Sequence, residues 1–82
     1  MLYEIAFTPQ SLKDLHRIQS REVGVIMSKI GFMKQDLKGD VKRLKNFFPK
    51  FRLRVGVYRV LFEVEAGTIV VYRVLHRRLA YD

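Results

Sequence analysis

Hydrophobic spacing along this chain shifts from every second residue to every third or fourth and back again, and the elements follow from those shifts. Leu2 to Phe7 alternates, with Tyr3, Ile5 and Phe7 on one side and Leu2, Glu4 and Ala6 on the other, which predicts a strand. Thr8-Pro9 reads as a helix N-cap followed by proline at the first helical position, where its missing N–H costs nothing. Leu12, Leu15 and Ile18 then mark the apolar stripe of a short helix. Ser20 is a second candidate N-cap, opening a longer helix from about Arg21 to Lys38. Its apolar face is Val23, Ile26, Met27, Ile30, Met33 and Leu37. Gly24 and Gly31 lie seven residues apart within it, a spacing that fits either close packing against the first helix or a kink. Gly39-Asp40 closes the helix, with the glycine in a C-cap position.

Residues 41–50, VKRLKNFFPK, read as a basic connector that Leu44, Phe47 and Phe48 would pin to the core. Pro49 stops any helix and favours an extended run into the next element. From there the period is two. Phe51, Leu53 and Val55 point one way and Arg52 and Arg54 the other, Gly56 permits a tight reversal, and Tyr58, Val60, Phe62 and Val64 oppose Arg59, Leu61 and Glu63. Glu65-Ala66-Gly67-Thr68 is a turn signal, hence a second hairpin. Ile69 to Leu75 is nearly all apolar, as in a strand covered on both faces, with Arg73 its one charge. The order is β-α-α-β-β-β in a single domain, residues 1–82. The class is α+β: two helices on one face of an antiparallel sheet, with the other face left for the arginines.

Composition narrows the chemistry. The chain is 82 residues and 49% hydrophobic, enough for one small core. It has no cysteine and two histidines, His16 and His76, so neither disulfides nor a structural zinc site are expected. His16 reads as a surface residue of the first helix. The apolar runs are short and charge-broken, and MLYEIAF lacks the basic start of a signal peptide, so no membrane span and a cytoplasmic location are expected. The net charge of +8 is uneven. Residues 1–41 hold six Lys/Arg against five Asp/Glu, whereas residues 42–82 hold ten against three. Such asymmetry points to an anionic partner: nucleic acid, acidic protein or anionic lipid, with lipid last because the basic residues lie in strands and not on an amphipathic helix.

A single arginine in a strand normally faces solvent and covers apolar surface with its stem. Arg52, Arg54 and Arg59 differ as a set, because they fall on adjacent strands joined by a short turn, where opposed side chains sit roughly 4.5–5.5 Å apart. Like charges so placed suggest an anionic ligand. Arginine grips phosphate oxygens with a planar fork but keeps its proton, so it stabilises charge and does not act as a base. Metal-free RNA cleavage also needs a base for the 2′-OH and an acid for the leaving oxygen. Nearby, the groups that titrate are His76 and, less readily, Tyr81; Tyr81 is equally suited to stacking on a base or packing on the core, and His76 to partial burial beside Val74 and Tyr72.

The element order, the segment FRLRVGVYR (residues 51–59) and the ending HRRLAY (residues 76–81) together resemble the RelE/ParE toxin superfamily, most closely its RelE branch. Leu44-Lys45 sits where that family has a Leu-Lys-Gly turn. The resemblance spans essentially the whole chain. It implies the toxin of a type II toxin–antitoxin system: a ribosome-dependent mRNA endonuclease that uses the 2′-OH of the RNA, leaves a 2′,3′-cyclic phosphate and needs no metal or cofactor. It also implies an acidic antitoxin protein as partner, besides the ribosome and mRNA. Carried onto this chain, it places Arg54, Arg59, Arg77 and Tyr81 in the catalytic set; His76, at a position where the family varies, joins them as the group that titrates most readily. Arg59 would bind the scissile phosphate, Arg77 would stabilise the transition state or protonate the leaving group, and Tyr81 would orient a nucleotide. Arg52, Lys45, Lys50 and Arg78 would contact RNA. Where some members have a lysine able to lose a proton this chain has Arg54, so the general base is unassigned. The chain also stops at Asp82, without the C-terminal helix of some relatives. Two other readings stay open: a ParE-type toxin directed at DNA gyrase, and a non-catalytic basic module that binds nucleic acid or an acidic protein.

Overall fold

The architecture is built outward from the C-terminal strand. In the computed structural model, which describes residues 1–81, the elements run β1 (Glu4–Phe7), α1 (Pro9–His16), α2 (Ser20–Phe32), β2 (Val41–Arg43), β3 (Phe51–Val55), β4 (Tyr58–Glu65) and β5 (Thr68–His76). The five strands form one sheet in the order β1-β5-β4-β3-β2. Strands β2 to β5 pair antiparallel, while β1 pairs parallel with β5. The sheet is therefore mixed, not antiparallel throughout as expected. The chain leaves β1 through both helices and returns by the other strands, so no hairpin forces β1 to oppose its neighbour.

Turn chemistry fixes the register of the long strands. Two residues join β4 to β5, Ala66 at φ 49° and Gly67 at φ 80°, the paired left-handed conformations of a type I′ hairpin loop. Gly56, at φ 57°, opens the equally short loop between β3 and β4. With these registers Leu53, Val55, Val60, Phe62, Ile69, Val71 and Val74 share one buried cluster with Ile26, Ile30 and Met33 from α2 and its cap. Leu15 of α1 and Ile18 just after it pack against the same cluster, so both helices cover this side of the sheet, as expected.

Several details depart from simple periodicity. Helix α1 is rotated from its predicted stripe: Leu12 is exposed, while Ser11 and Asp14 are buried. Both polar groups are satisfied, Ser11 by donating to the Thr8 carbonyl (2.8 Å) and Asp14 by Arg73 and Val74. Thr8 does cap this helix, its Oγ1 accepting from the Ser11 N–H at 3.1 Å. Ser20 does not cap the second; Gln19 holds that place without a side-chain bond. Helix α2 stops at Phe32, short of Lys38, because the chain start competes for the residues beyond it. The Tyr3 N–H donates to the Lys34 carbonyl and the Asp36 N–H to the Met1 carbonyl, and Asp36 and Leu37 adopt φ of 58° and 56°, which a right-handed helix cannot continue. Gly39 is accordingly no helix cap. A Cβ on Gly24 or Gly31 would meet nothing within 4 Å, so neither serves close packing.

Within the expected connector, Val41–Arg43 forms the edge strand β2, too short for its three residues to show a period. Leu44 and Phe47 are half-buried there, but Phe48 is exposed. Strand β5 fully buries Ile69, Val71 and Val74 on the core side and half-buries Val70, Tyr72 and Leu75. A bulge interrupts its alternation: Leu61 pairs with Arg73 and Phe62 with Val71, so Tyr72 has no partner on β4 and the parity of facing changes there. Tyr72 therefore does not share a face with Val74 and His76.

Candidate phosphate-binding cleft

Alternation in β3 and β4 sends Leu53, Val55 and Val60 into the core, which leaves Arg52, Arg54 and Arg59 on the side away from the helices. The hairpin register sets Arg54 directly opposite Arg59 and Arg52 opposite Leu61, and β2 brings Lys42 opposite Arg52. A shallow cleft of about 280 Å³ results, lined by Lys42, Leu44, Arg52, Arg54, Arg59 and Tyr81. Tyr81 reaches it through a tight turn after β5. The Arg77 N–H donates to the Val57 carbonyl at 2.7 Å, the Leu79 N–H to the His76 carbonyl at 2.8 Å, and Ala80 is buried. The Tyr81 ring meets Phe47 edge to face at 5.9 Å and the residue is 44% exposed, so one aromatic contact holds it while much of it stays accessible. Phe47 is held in turn by its loop, where the Leu44 N–H bonds the Lys50 carbonyl (2.7 Å) and the Lys50 N–H bonds the buried Glu63 carboxylate (2.6 Å).

The three arginines are held differently. Arg59 Nη1 donates to the carbonyls of Gly56 (2.9 Å) and Tyr58 (3.0 Å), so it is anchored on its own turn with no carboxylate partner among the described residues. Arg52 and Arg54 share Asp40, which accepts from Arg52 Nη1 at 3.1 Å and from Arg54 Nε at 2.6 Å. The hydrogen bond from Arg52, opposed by some desolvation and reinforced by Arg54, holds the Asp40 carboxyl below the usual carboxylate range. Asp40 and Lys42 were both missed at the level of sequence, the first read as a helix terminus and the second as part of a loop. Their signal lies in the register of β2 against β3, which depends on a strand of three residues.

The remaining candidates lie outside this cleft. His76 is half-buried, meets Tyr58 edge to face at 5.9 Å, and accepts the Arg78 N–H at Nδ1 (3.2 Å). That bond engages the Nδ1 lone pair of the ring. His76 borders a separate hollow with Asp14, Arg17, Tyr58, Arg73 and Leu79. Arg77 and Arg78 are exposed at the turn that leads to Tyr81, with Arg78 beside His76 and Leu79. Lys45 and Lys50 are exposed on the loop after β2, and neither lines the cleft. Among the described residues, no three His, Cys, Asp or Glu side chains come together in a way that would hold a metal ion, and no helix is long and apolar enough to cross a membrane.

Comparison with known proteins bears on the family and the fold. Residues 5–81 match the family described as the ParE toxin of the type II toxin–antitoxin system parDE. A curated relative, toxin RelE3 of Methanocaldococcus jannaschii, is 49% identical over 47 residues, a match that spans 57% of this chain and about half (53%) of that protein. Among solved structures, the RelB–RelE antitoxin–toxin complex of Methanococcus jannaschii contains a chain with a TM-score of 0.74 and 32% identity, covering 89% of this chain and 91% of that one. A chain of the toxin–antitoxin complex RelBE2 of Mycobacterium tuberculosis superposes with a TM-score of 0.80 at 27% identity over 94% of this chain and 100% of its own length. The RelE–RelB complex of Pyrococcus horikoshii shares the fold, with a TM-score of 0.77 at 22% identity over 98% of this chain and 100% of that one.

Proposed function

The chain belongs to the RelE/ParE superfamily of type II toxin–antitoxin toxins and is RelE-like, and from that premise we propose that it is a ribosome-dependent endoribonuclease that cuts mRNA in the A site. One observation carries the proposal: three arginines, a lysine and an open tyrosine ring converge on a single cleft of nucleotide size. Arginine forks match phosphate oxygens, and an exposed aromatic ring matches the face of an unstacked base.

The proposed reaction is an in-line attack by the RNA's own 2′-OH on the adjacent phosphorus. The P–O5′ bond breaks, leaving a 2′,3′-cyclic phosphate on one product and a 5′-OH on the other. Arg54 and Arg59 hold the non-bridging oxygens and stabilise the charge that builds on the phosphorane. Arg52 lends further positive charge, and Tyr81 orients the base beside the cut. Arg77, exposed on the turn that leads to Tyr81, is assigned the leaving oxygen; Lys45, Lys50 and Arg78 contact the flanking backbone. Lys42 and Tyr81 are the lining side chains, apart from the arginines, that carry an acid–base proton. The ribosome's part is to present the mRNA strand in a cleavable pose, an entropic contribution that a shallow cleft does not supply alone. We assign the protein an acidic antitoxin partner, since the solved relatives are complexes with RelB-type antitoxins and the net charge here is +8. Its place of action is the cytoplasm, where ribosomes are, and the reaction uses neither metal nor cofactor.

The ParE family match supports a second reading, in which the target is DNA gyrase and no RNA is cut. Primer extension on programmed ribosomes, run beside a gyrase supercoiling assay, separates the two. Codon-positioned mRNA ends that vanish in Arg59→Ala support the endonuclease. Intact mRNA with stalled gyrase supports the ParE reading, and intact mRNA with normal gyrase leaves a binding module.

A further inference from the structure

Bonded to two arginines of the cleft is an acidic residue that an anion-binding surface gains nothing from electrostatically. Asp40 precedes β2 and holds two arginines through four contacts. Its carboxylate accepts from Arg52 Nη1 (3.1 Å) and Arg54 Nε (2.6 Å), and its backbone carbonyl accepts from Arg52 Nη1 (2.6 Å) and from the Arg54 N–H (3.0 Å). The atoms used matter. A guanidinium has five N–H donors, and Asp40 takes the Nε edge of Arg54, which leaves both terminal nitrogens of that residue unclaimed by the carboxylate. Only 13% of the Arg52 side chain is exposed, against 55% for Arg54. Arg52 is thus an anchored charge, whereas Arg54 is gripped at its inner edge with its outer part open. Arg54 also faces Arg59 across the hairpin, and a carboxylate beside the pair offsets the repulsion between them.

We propose that Asp40 is a positioning residue for the phosphate site: it fixes the Arg54 guanidinium by Nε so that the terminal nitrogens are aimed before a phosphate arrives. The proposal rests on the reading of the cleft as an RNA site. Arginine side chains lose considerable rotamer freedom when they bind, and a partner that orders one in advance moves that cost out of the reaction. The carboxylate simultaneously repels a phosphate in the ground state. Losing it therefore has opposite effects on binding and on turnover, a split that a purely structural residue does not produce.

Asp40→Asn keeps the shape but accepts through one oxygen. With ribosome-bound mRNA, kcat is expected to fall roughly 10- to 100-fold. Affinity for a short 2′-deoxy oligonucleotide, which cannot be cut, stays equal or tightens a fewfold, and Asp40→Glu recovers part of the lost rate. A kcat within about twofold of wild type, or losses of affinity and rate in equal proportion, overturns the proposal. A second readout needs no RNA. Nitrogen-15 NMR of the arginine Nε–H groups, with and without inorganic phosphate, should show Arg54 as a sharp, slowly exchanging signal that persists at saturation. In Asp40→Asn that signal should exchange with water at least about tenfold faster. If phosphate broadens the wild-type Arg54 signal as the variant does, Asp40 is a competitor and not a positioner. Should the wild-type protein cut no mRNA, the endonuclease reading fails by itself and the NMR pair decides the role of Asp40.

Discussion

Asp14 is a place where one substitution should damage the fold without touching the cleft. Its side chain is 3% exposed and accepts three good hydrogen bonds: from Arg73 Nε (2.8 Å), Arg73 Nη2 (3.1 Å) and the Val74 N–H (2.9 Å). Burial alone would push its carboxyl upward, but the bonds from Arg73 and Val74 outweigh that and hold it below the usual range. Asp14→Ala leaves the buried Val74 N–H without a partner, at a cost of about 1–3 kcal/mol. The Arg73 side chain is 38% exposed and regains water, so the lost ion pair adds only about 1 kcal/mol. The total of roughly 2–4 kcal/mol is a large part of the ~4–12 kcal/mol expected for a domain this size. It corresponds to a Tm lower by roughly 10–25 °C. Urea unfolding gives the change directly, as a shifted midpoint at constant m-value, with Arg73→Ala and the double variant closing a cycle. A loss below about 1 kcal/mol, or strict additivity in the cycle, would refute the argument that α1 is tied to β5 through this carboxylate.

Acid should weaken the protein by the same route. Asp14 and Asp40 have folded-state carboxyls below their unfolded value of about 3.9; their contribution is therefore complete above that value and is lost as pH falls through the lower folded ones. Through these groups the urea midpoint should hold between pH 7 and 5 and fall by pH 2.5, and Asp14→Asn should fall less over that lower interval. Gly24→Ala should stabilise the protein by about 0.5–1 kcal/mol, because the added Cβ meets nothing and the helix gains propensity. Gly39→Ala should destabilise it by about 1–3 kcal/mol, since φ is +126° and the Cβ would stand 3.0 Å from Leu53 Cδ1; thermal melts of the two variants test both signs. His76→Gln should leave the pH–rate profile of cleavage unchanged, and a profile flattened between about pH 5.5 and 7.5 would return His76 to the mechanism.

Alternation made most of the sheet readable in the sequence, because a period of two is unambiguous when one face is buried. Phe51 to Val64 divides into core and cleft faces as its residue types suggest. The same logic failed for Tyr72, where a bulge adds one residue and reverses the parity. It failed for α1 because the helix turns two satisfied polar groups inward, and a count of apolar positions cannot register Ser11 or Asp14 as core. The end of α2 was hidden because its terminator is the chain's own beginning, through bonds from Tyr3 and Asp36 that no local pattern announces. Arg52, Arg54, Arg59 and Tyr81 were visible as candidates from their alternation and from the family resemblance. Lys42 and Asp40 were not, since their relation to the arginines exists only in the pairing of β2 with β3.

The central claim is that this arginine cleft promotes attack by a 2′-OH within ribosome-bound mRNA. Its most direct test replaces the nucleotide 5′ to the cut with its 2′-deoxy form in an otherwise identical message and sizes the products. Cleavage of the all-ribose message to a 2′,3′-cyclic phosphate end, lost with the single deoxy substitution and lost again with Arg59→Ala on the ribose message, is the predicted result. Cutting of the deoxy message at the same bond would contradict it.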